Sequence, residues 1–229
     1  MKQRVAIIAA LPREIASLVN DWQSDETLVA RKIFVYWTED AIVACAGMGA
    51  RRVALALEAA LAKGPVNEIV SVGWAGGLHA GIQAGSLHVP GLIIDALTGE
   101  RFGTGEGKAI LVTAGAVAGP AEKQRLRETY GADLVDMEAA TVARMAQARG
   151  IPFRALKAVS DAHDFDMPGM ARFSNSDGEF REGAFALHVL LRPAMWSKVA
   201  RMANMSRVSA VNLCRMLRAQ LDGMKKLNV

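Results

Sequence analysis

Short apolar runs alternate with longer amphipathic segments along most of the chain. The runs are typical of buried strands, and they cover RVAIIAA (4–10), KIFVYWTED (32–40), AIVACAGMG (41–49), EIVSVGWAGGL (68–78), GSLHVPGLIID (85–95), GKAILVTAGAVAG (107–119), ADLVDME (132–138) and PFRALKAVSDAHD (152–164). Pro90 within one run predicts a sheet edge or a bulge. Helices are predicted from Pro12 to about Asp21, over the alanine-rich stretch ending at Gly64, from Pro120 to about Tyr130, and directly after Glu138.

This alternation predicts a layered α/β architecture. Strands joined by helices favour a largely parallel sheet with helices on both faces. The expected fold class is a three-layer α/β/α arrangement with a central mixed, largely parallel sheet and additional C-terminal helices. We divide the chain into a body of residues 1–190 and a C-terminal helical extension of residues 191–229.

Charge is unevenly distributed between these two parts. The 229 residues carry a net charge of +4. Residues 192–229 contain eight basic residues and one acid, so this tail carries +7 and the remainder carries −3. The two distant cysteines form neither a metal-binding spacing nor a disulfide framework, which favours a cytoplasmic protein without a metal. The apolar start of the chain is interrupted by Pro12 too early for a signal peptide or a membrane-spanning helix.

The basic tail also has an apolar stripe. Its apolar residues, interleaved with Arg and Lys, include Met195, Trp196, Val199, Met202, Val208, Val211, Leu213, Met216 and Leu217. A basic amphipathic helix with a tryptophan is a candidate for peripheral membrane contact. The alternative is that the stripe packs on the body and the charges face water. A nucleic-acid partner is not expected, because the tail lacks interleaved aromatic residues for base stacking.

Polar residues and glycines collect where the predicted strands end. They are Glu14 after the first strand, Gly47 and Gly49 after the third, Gly73, Gly76 and Gly77 after the next, then Asp136 with Glu138, and Ser160 with Asp161. Ligands of open α/β sheets bind at the carboxyl ends of the strands. We therefore expect these residues to converge on a shared pocket. Glu138 is the strongest indication, since a carboxylate at the start of an alanine-packed helix is costly without a partner.

Five segments, in this order and spacing, resemble the purine nucleoside phosphorylase and methylthioadenosine nucleosidase superfamily. They are AALPREI, GMG, VGWAGGL, VDMEAATVA and KAVSDAHD, within residues 4 to 164. The short middle of the chain and the motif LLRPAMW are most similar to the hopanoid-associated phosphorylase group, which is assigned to the removal of adenine from the lipid-linked nucleoside adenosylhopane. The resemblance implies a nucleoside phosphorylase-like catalytic domain over residues 1–190, a purine nucleoside substrate and a homo-oligomer.

The resemblance also implies a role for each acid. Cleavage of a purine–ribose bond passes through an oxocarbenium-like transition state, and the departing base needs a proton. Asp161 resembles the acid that protonates N7 of the base, Glu138 the carboxylate that binds the ribose hydroxyls, and Glu14 the residue that orients the attacking water. The other residues expected to contact the substrate are Gly76, Val117, Ala118, Met137 and Ser160.

Two of these acids also have purely structural interpretations. Asp161 can cap the segment that follows it, since Ser-Asp is a common pair at the start of a helix. Glu14 can be a solvated acid in the first turn of a helix, where the helix dipole favours it. Val117 and Ala118 replace an aromatic residue that stacks on the base in the nucleosidases, so weaker base stacking is expected.

The sequence leaves the nucleophile open between water and phosphate. Phosphorylases of the superfamily commonly have an arginine where this chain has Ser71, and its absence favours water. Arg51 and Arg52 follow GMGA at a predicted helix start, which is a natural anion site, so they are the candidate phosphate ligands. Inorganic phosphate is therefore a candidate co-substrate, and no other cofactor is expected.

The segment ALTGERFGTGEG (96–107) is shorter than its counterpart in the nucleosidases. A shortened lid leaves the 5′ side of the pocket open, which suits a bulky apolar group at C5′ better than a methylthio group. The expected function is cleavage of the adenine–ribose bond of a nucleoside, with adenosylhopane as the expected substrate. The alternative is a non-catalytic nucleoside-binding or membrane-associated module on the same fold. Retention of all three acids favours the enzyme.

Overall fold

The computed structural model describes residues 4–166, 173 and 181–227, so the last two residues of the predicted extension lie outside the described residues. The described chain forms an 11-stranded sheet. Its strands are β1 (Val5–Ala9), β2 (Gln23–Ser24), β3 (Phe34–Trp37), β4 (Ala41–Cys45), β5 (Glu68–Gly77), β6 (Leu87–His88), β7 (Pro90–Asp95), β8 (Arg101–Gly103), β9 (Ala109–Thr113), β10 (Leu134–Asp136) and β11 (Phe153–Asp161).

The helices lie between these strands and after them. They are α1 (Pro12–Val19), α2 (Ala50–Leu61), α3 (Pro120–Tyr130), α4 (Ala139–Ala148), α5 (Glu182–Leu190) and α6 (Trp196–Leu227), with 3₁₀ turns at Glu26–Arg31 and Pro193–Met195. Proline at the first helical position starts both α1 and α3, where its missing N–H costs no hydrogen bond. None of the helices in the described ranges is both long and apolar enough to cross a bilayer.

The centre of the sheet is mostly parallel. β1 pairs in parallel with β4 and β5, β5 with β11, and β9 with β7 and β10. The outer pairs β3–β4 and β7–β8 are antiparallel. The predicted irregularity at Pro90 is confirmed, since the register of β7 against β9 shifts between Pro90 and Leu92.

The C-terminal half of β5 positions the candidate site. Gly76 of β5 lies opposite Asp161 of β11 on one side and opposite Val135 of β10 on the other. β10 runs antiparallel to β5, so its final residues turn back toward the middle of β5. The ends of three strands therefore meet around one glycine.

Alternate residues of the central strands face two helical layers. Ile7 of β1 packs in one apolar cluster with residues of α1 and α6, whereas Ile8 packs in a second cluster with residues of α2 and α4. This period of two is what a strand buried on both faces requires. The predicted three-layer α/β/α fold with a mixed, largely parallel sheet is confirmed.

Helix α6 shares the core of the sheet. Leu213 and Leu217 of α6 are buried in the same cluster as β1 and β4. The Ser209 hydroxyl donates to the backbone carbonyl of Val159 at 2.6 Å, and the Cys214 thiol donates to the backbone carbonyl of Glu14 at 3.3 Å. Part of the predicted apolar stripe thus packs on the body. The division of the chain at residue 190 stays a prediction.

Candidate active site

A cleft of about 1180 Å³ opens at the C-terminal half of β5, against helices α1, α3, α5 and α6. Eight of the predicted site residues line it together: Glu14, Gly76, Val117, Ala118, Met137, Glu138, Ser160 and Asp161. These residues come from distant parts of the chain, so their convergence is a property of the fold. The cleft has a polar floor and a largely apolar outer wall.

Glu14 lies in the first turn of α1, and its carboxylate points back toward β1. Its Oε2 accepts hydrogen bonds from the backbone N–H groups of Ala10 and Leu11 at 2.9 and 2.8 Å, and its Oε1 accepts one from that of Trp74 at 3.0 Å. Gly73 permits this approach, because its φ is +131° and a Cβ there would lie 2.9 Å from Oε1. Burial raises the pKa of Glu14 against the opposing effect of the three donors. At 2% exposure, Glu14 is not the solvated helix acid of the structural interpretation.

Glu138 directly precedes α4 and is also buried. Its Oε1 accepts a hydrogen bond from the backbone N–H of Gly49 at 2.8 Å, and Oε2 accepts one from that of Met137 at 3.3 Å. Burial, reinforced by the neighbouring Asp136 carboxylate, raises the pKa of Glu138 to about 7, while Lys157 and the Gly49 N–H oppose the shift. The carboxylate therefore has the partner that its burial requires, supplied by the loop before α2.

An ion pair that we did not predict lies beneath these acids. Lys157 Nζ is 2.9 Å from Asp136 Oδ2, and the two side chains are only 1% and 0% exposed. The Lys157 ammonium also donates to the Ser71 hydroxyl at 3.1 Å, and the Thr113 hydroxyl donates to Asp136 Oδ1 at 2.7 Å. The floor of the cleft thus has three buried carboxylates around one ammonium. The signal in the sequence was a lysine inside the apolar strand RALKAV.

A β-bulge turns Asp161 into the cleft. Val159 pairs with Ala75 and Asp161 pairs with Gly76, so Ser160 has no partner in this register. Such bulges redirect side chains beside functional sites. The Ser160 hydroxyl donates to Asp161 Oδ1 at 2.6 Å. The missing side chain of Gly76 leaves room for Asp161, whose Oδ2 would lie 3.2 Å from a Cβ at that position.

The second oxygen of Asp161 is paired with a lysine that sequence analysis missed. Lys123 Nζ donates to Asp161 Oδ2 and, at 2.6 Å, to the carbonyl oxygen of Ala162. The Lys123 side chain is 2% exposed. In the polar stretch AEKQRLRETY this lysine has the pattern of a surface residue. The weak signal was its spacing of three from Leu126, the other buried residue of α3.

The outer wall of the cleft is formed by α5 and α6. Its apolar side chains include Phe185, Val189, Leu190, Trp196, Val199 and Met202. Pockets for drug-sized ligands span about 300–1,000 Å³, so the cleft is larger than a nucleoside alone requires. Sequence analysis did not identify α5 and α6 as a wall of the site.

The two arginines proposed as phosphate ligands are placed elsewhere. Arg51 and Arg52 are not among the described residues that line the cleft. The Arg52 guanidinium donates to the backbone carbonyls of Ala46, Arg31 and Lys32. The cations that do line the cleft are those of Arg13, Lys123 and Arg207. The Arg13 guanidinium carbon is 5.1 Å from the centroid of the Trp74 ring.

Several solved structures share this fold. Arabidopsis thaliana 5′-methylthioadenosine nucleosidase in its apo form matches with a TM-score of 0.72 and 18% identity, over 97% of this chain and 96% of that chain. Helicobacter pylori 5′-methylthioadenosine/S-adenosylhomocysteine nucleosidase, bound to butyl-thio-DADMe-Immucillin-A, matches with a TM-score of 0.69 and 16% identity, over 97% of this chain and 99% of that chain. Helicobacter pylori futalosine hydrolase matches with a TM-score of 0.66 and 18% identity, over 95% of this chain and 98% of that chain. At these identities the likeness establishes the fold alone.

Sequence comparison identifies the family. No protein of curated function matches the chain in sequence. The sequence profile of the phosphorylase superfamily matches residues 4–110 and 108–192, which together make up most of the chain. The chain therefore belongs to the phosphorylase superfamily.

Proposed function

We propose that this protein hydrolyses the adenine–ribose bond of a nucleoside with a bulky apolar group at C5′, and that adenosylhopane is the substrate. The observation that carries the proposal is the convergence of Glu14, Glu138 and Asp161 on one cleft. The structural neighbours include nucleosidases and a futalosine hydrolase, and this supports cleavage of an N-glycosidic bond.

The base occupies the end of the cleft near Asp161. The Asp161 carboxyl lies beside Gly76 at this end of the cleft, together with the side chain of Lys123. Val117 and Ala118 line the cleft with it and give the ring an apolar but non-aromatic contact. Asp161 is the group that delivers the proton to N7, which makes adenine a neutral leaving group.

The ribose occupies the floor, against Met137 and Glu138. A carboxylate held by a backbone N–H can accept hydrogen bonds from the 2′ and 3′ hydroxyls. These bonds strengthen as the sugar gains positive charge, so they stabilise the transition state more than the ground state. Because the pKa of Glu138 is about 7, this role requires pH values at which the carboxylate is ionised.

Water is the nucleophile that this floor favours. The raised pKa of Glu14 makes its carboxylate a better base for a water proton than an exposed glutamate. A phosphate dianion would approach the carboxylates of Glu14, Asp136 and Glu138, which repel it. The Gly49 N–H at the start of α2, a natural anion donor, is already bonded to Glu138.

The apolar wall of α5 and α6 accepts the substituent at C5′. A rigid polycyclic hydrocarbon fits a wide apolar cleft better than a small methylthio group does. Burial of apolar surface contributes about 25 cal/mol per Å², so such a substituent supplies most of the binding energy. A lipid-linked substrate implies peripheral membrane contact of a cytoplasmic protein.

The test is product analysis with adenosylhopane in buffers with and without inorganic phosphate. We expect adenine and ribosylhopane in both buffers at equal rates. A phosphate-dependent rate with a 1-phosphate product would reverse the choice of nucleophile. Failure to release adenine from both adenosylhopane and adenosine would contradict the enzymatic function itself.

A further inference from the structure

A buried ammonium contacts the acid that faces the base. Lys123 reaches from α3 into the cleft, where its Nζ donates to Asp161 Oδ2 and to the carbonyl of Ala162. The other Asp161 oxygen accepts from Ser160. The neighbour Glu122 on the same helix pairs with Arg125 on the exposed side, so Lys123 alone of these three points inward.

This pairing creates a chemical requirement. Asp161 Oδ2 is the acceptor in its hydrogen bond with Lys123, so the proton in this bond belongs to Lys123. The departing adenine anion needs one. The nearest N–H groups that can release a proton to Asp161 are those of Lys123, across an existing hydrogen bond.

We propose that Lys123 is the proton source for the leaving base and acts through Asp161; this rests on the proposed function. As the C–N bond breaks, an N–H bond of Lys123 breaks, its proton passes to Asp161 Oδ2, and Asp161 transfers a proton to N7 of adenine. The electron pair of the C–N bond stays on the purine. Glu14 takes a proton from the attacking water as the water oxygen forms a bond to C1′. The neutral Lys123 amine then regains a proton from solvent, and Glu14 releases one.

The surroundings of Lys123 fit this role better than a purely structural one. A buried ion pair is weak evidence for stability, because desolvation of both charges offsets their attraction. Lys123 nevertheless lies in the cleft wall beside Gly76, where a Cβ would be 3.1 Å from Lys123 Cε. The absence of a side chain at Gly76 therefore gives both Lys123 and Asp161 access to the same region.

The substitution Lys123→Arg distinguishes a role in proton transfer from a role as a positive charge. An Arg side chain keeps a cation beside Asp161 but does not release its proton at ordinary pH. Lys123→Met removes both the charge and the proton. We expect both variants to lose about 10²–10⁴-fold in kcat on the nucleoside that the wild type cleaves. Lys63→Met is the matched control, since Lys63 forms an ion pair with Asp25 away from the cleft, and it should retain wild-type kcat.

A second substrate excludes a merely structural effect. 4-Nitrophenyl β-D-ribofuranoside releases a stable phenolate, which needs no proton from a general acid. Both Lys123 variants should therefore cleave this substrate with a kcat within about ten-fold of the wild-type value. Only cleavage of the purine nucleoside should lose the assistance of the general acid. Activity of Lys123→Arg on the nucleoside within ten-fold of wild type would overturn the proposal in favour of a positioning charge. Equal losses on both substrates would also overturn it. If Lys123→Met does not fold, Lys123→Arg decides. A wild type that cleaves neither substrate refutes the proposed function instead.

Discussion

The Glu138 carboxylate accepts a hydrogen bond from the backbone N–H of Gly49 at 2.8 Å, and so connects the start of α4 to the start of α2. One carboxylate oxygen is thereby fixed to the protein. The other accepts a longer bond from the Met137 N–H at 3.3 Å, and Glu138 lines the cleft. The same contact uses the Gly49 N–H, which is then not free to bind an anion at the start of α2.

Glu138→Gln should therefore reduce turnover more for substrates that have the 2′ and 3′ hydroxyls than for substrates that lack them. The amide oxygen can still accept from Gly49, and the amide NH₂ group replaces only the longer contact with the Met137 N–H at 3.3 Å, so the fold is retained. The negative charge that stabilises the oxocarbenium ion is lost. We expect at least about a 100-fold lower kcat/KM on ribosides, roughly 3 kcal/mol of transition-state stabilisation. The loss on 2′,3′-dideoxyribosides should be much smaller. Equal losses on both substrate classes would mean that Glu138 is structural.

The same variant should change the pH dependence of stability. Burial raises the pKa of Glu138 from 4.5 to about 7, so the folded protein retains a proton that the unfolded chain has released. Its stabilising contribution is thus fully present below pH 4.5 and is lost as the pH rises through 7. The always-neutral Gln should stabilise the fold at pH 8 by roughly 1–3 kcal/mol, at about 1.4 kcal/mol per pKa unit. Thermal unfolding from pH 5 to 8 measures this, and a difference from wild type that does not grow with pH would contradict it.

The polar floor was predictable from the sequence, but its cations were not. Glu14, Glu138 and Asp161 each follow an apolar run, and the rule that sites form at strand ends brings them together without knowledge of the strand order. Lys123 is in a helix whose neighbours are all polar, so its burial depends on where α3 lies relative to Gly76. That relationship is tertiary, and its only trace in the chain is the weak signal of the spacing between Lys123 and Leu126.

The C-terminal helix shows the same limit. The apolar stripe of the tail was visible, and both packing and lipid contact were considered for it. Ser209, Leu213 and Leu217 pack on the body, whereas Trp196 remains exposed. Which residues face the sheet depends on the direction in which α6 crosses β11, and hydropathy alone does not encode that direction.

Asp161→Asn should lose turnover on purine nucleosides by about 10²–10⁴-fold, because an amide cannot deliver the proton. KM should stay within a few-fold, since the amide can still hydrogen-bond the base. 4-Nitrophenyl β-D-ribofuranoside is the control substrate, and its cleavage should persist. Near-normal kcat on the nucleoside would exclude Asp161 as the acid.

Glu14→Gln should reduce stability as well as activity. Both Glu14 oxygens accept backbone N–H donors, so an amide must place its own NH₂ group against at least one of them. An unsatisfied buried donor costs about 1–3 kcal/mol, which should appear as a lower Tm. Glu58→Gln, on an exposed carboxylate paired with Arg149, is the matched control and should leave the free energy of unfolding unchanged within about 0.5 kcal/mol. A Glu14→Gln variant as stable as this control would show that the three backbone N–H donors do not fix the conformation of the Glu14 side chain.

The exposed apolar residues beside the cleft should bind a lipid surface. Leu187, Leu190, Leu191 and Trp196 are 58%, 64%, 69% and 51% exposed on α5 and the turn into α6. Leu190 and Trp196 also line the cleft, so a bilayer at this position would adjoin the apolar wall.

Arg192, Lys198 and Arg201 are close to these residues in the chain and give the interaction its expected salt dependence. Each Lys or Arg near an anionic membrane contributes about 1 kcal/mol, and the Debye length of about 8 Å at physiological salt weakens that attraction. We expect co-sedimentation with anionic vesicles at low salt and little with neutral vesicles. Leu191→Glu should abolish binding, whereas Leu97→Glu, at an 88% exposed leucine away from the cleft, should not. These point substitutions are preferable to deletion of residues 193–229, because deletion removes Leu213 and Leu217 from the core. If both variants bind vesicles equally, this surface faces solvent. If no vesicle binding occurs and Leu191→Glu disrupts a dimer, the surface contacts a second copy of the chain.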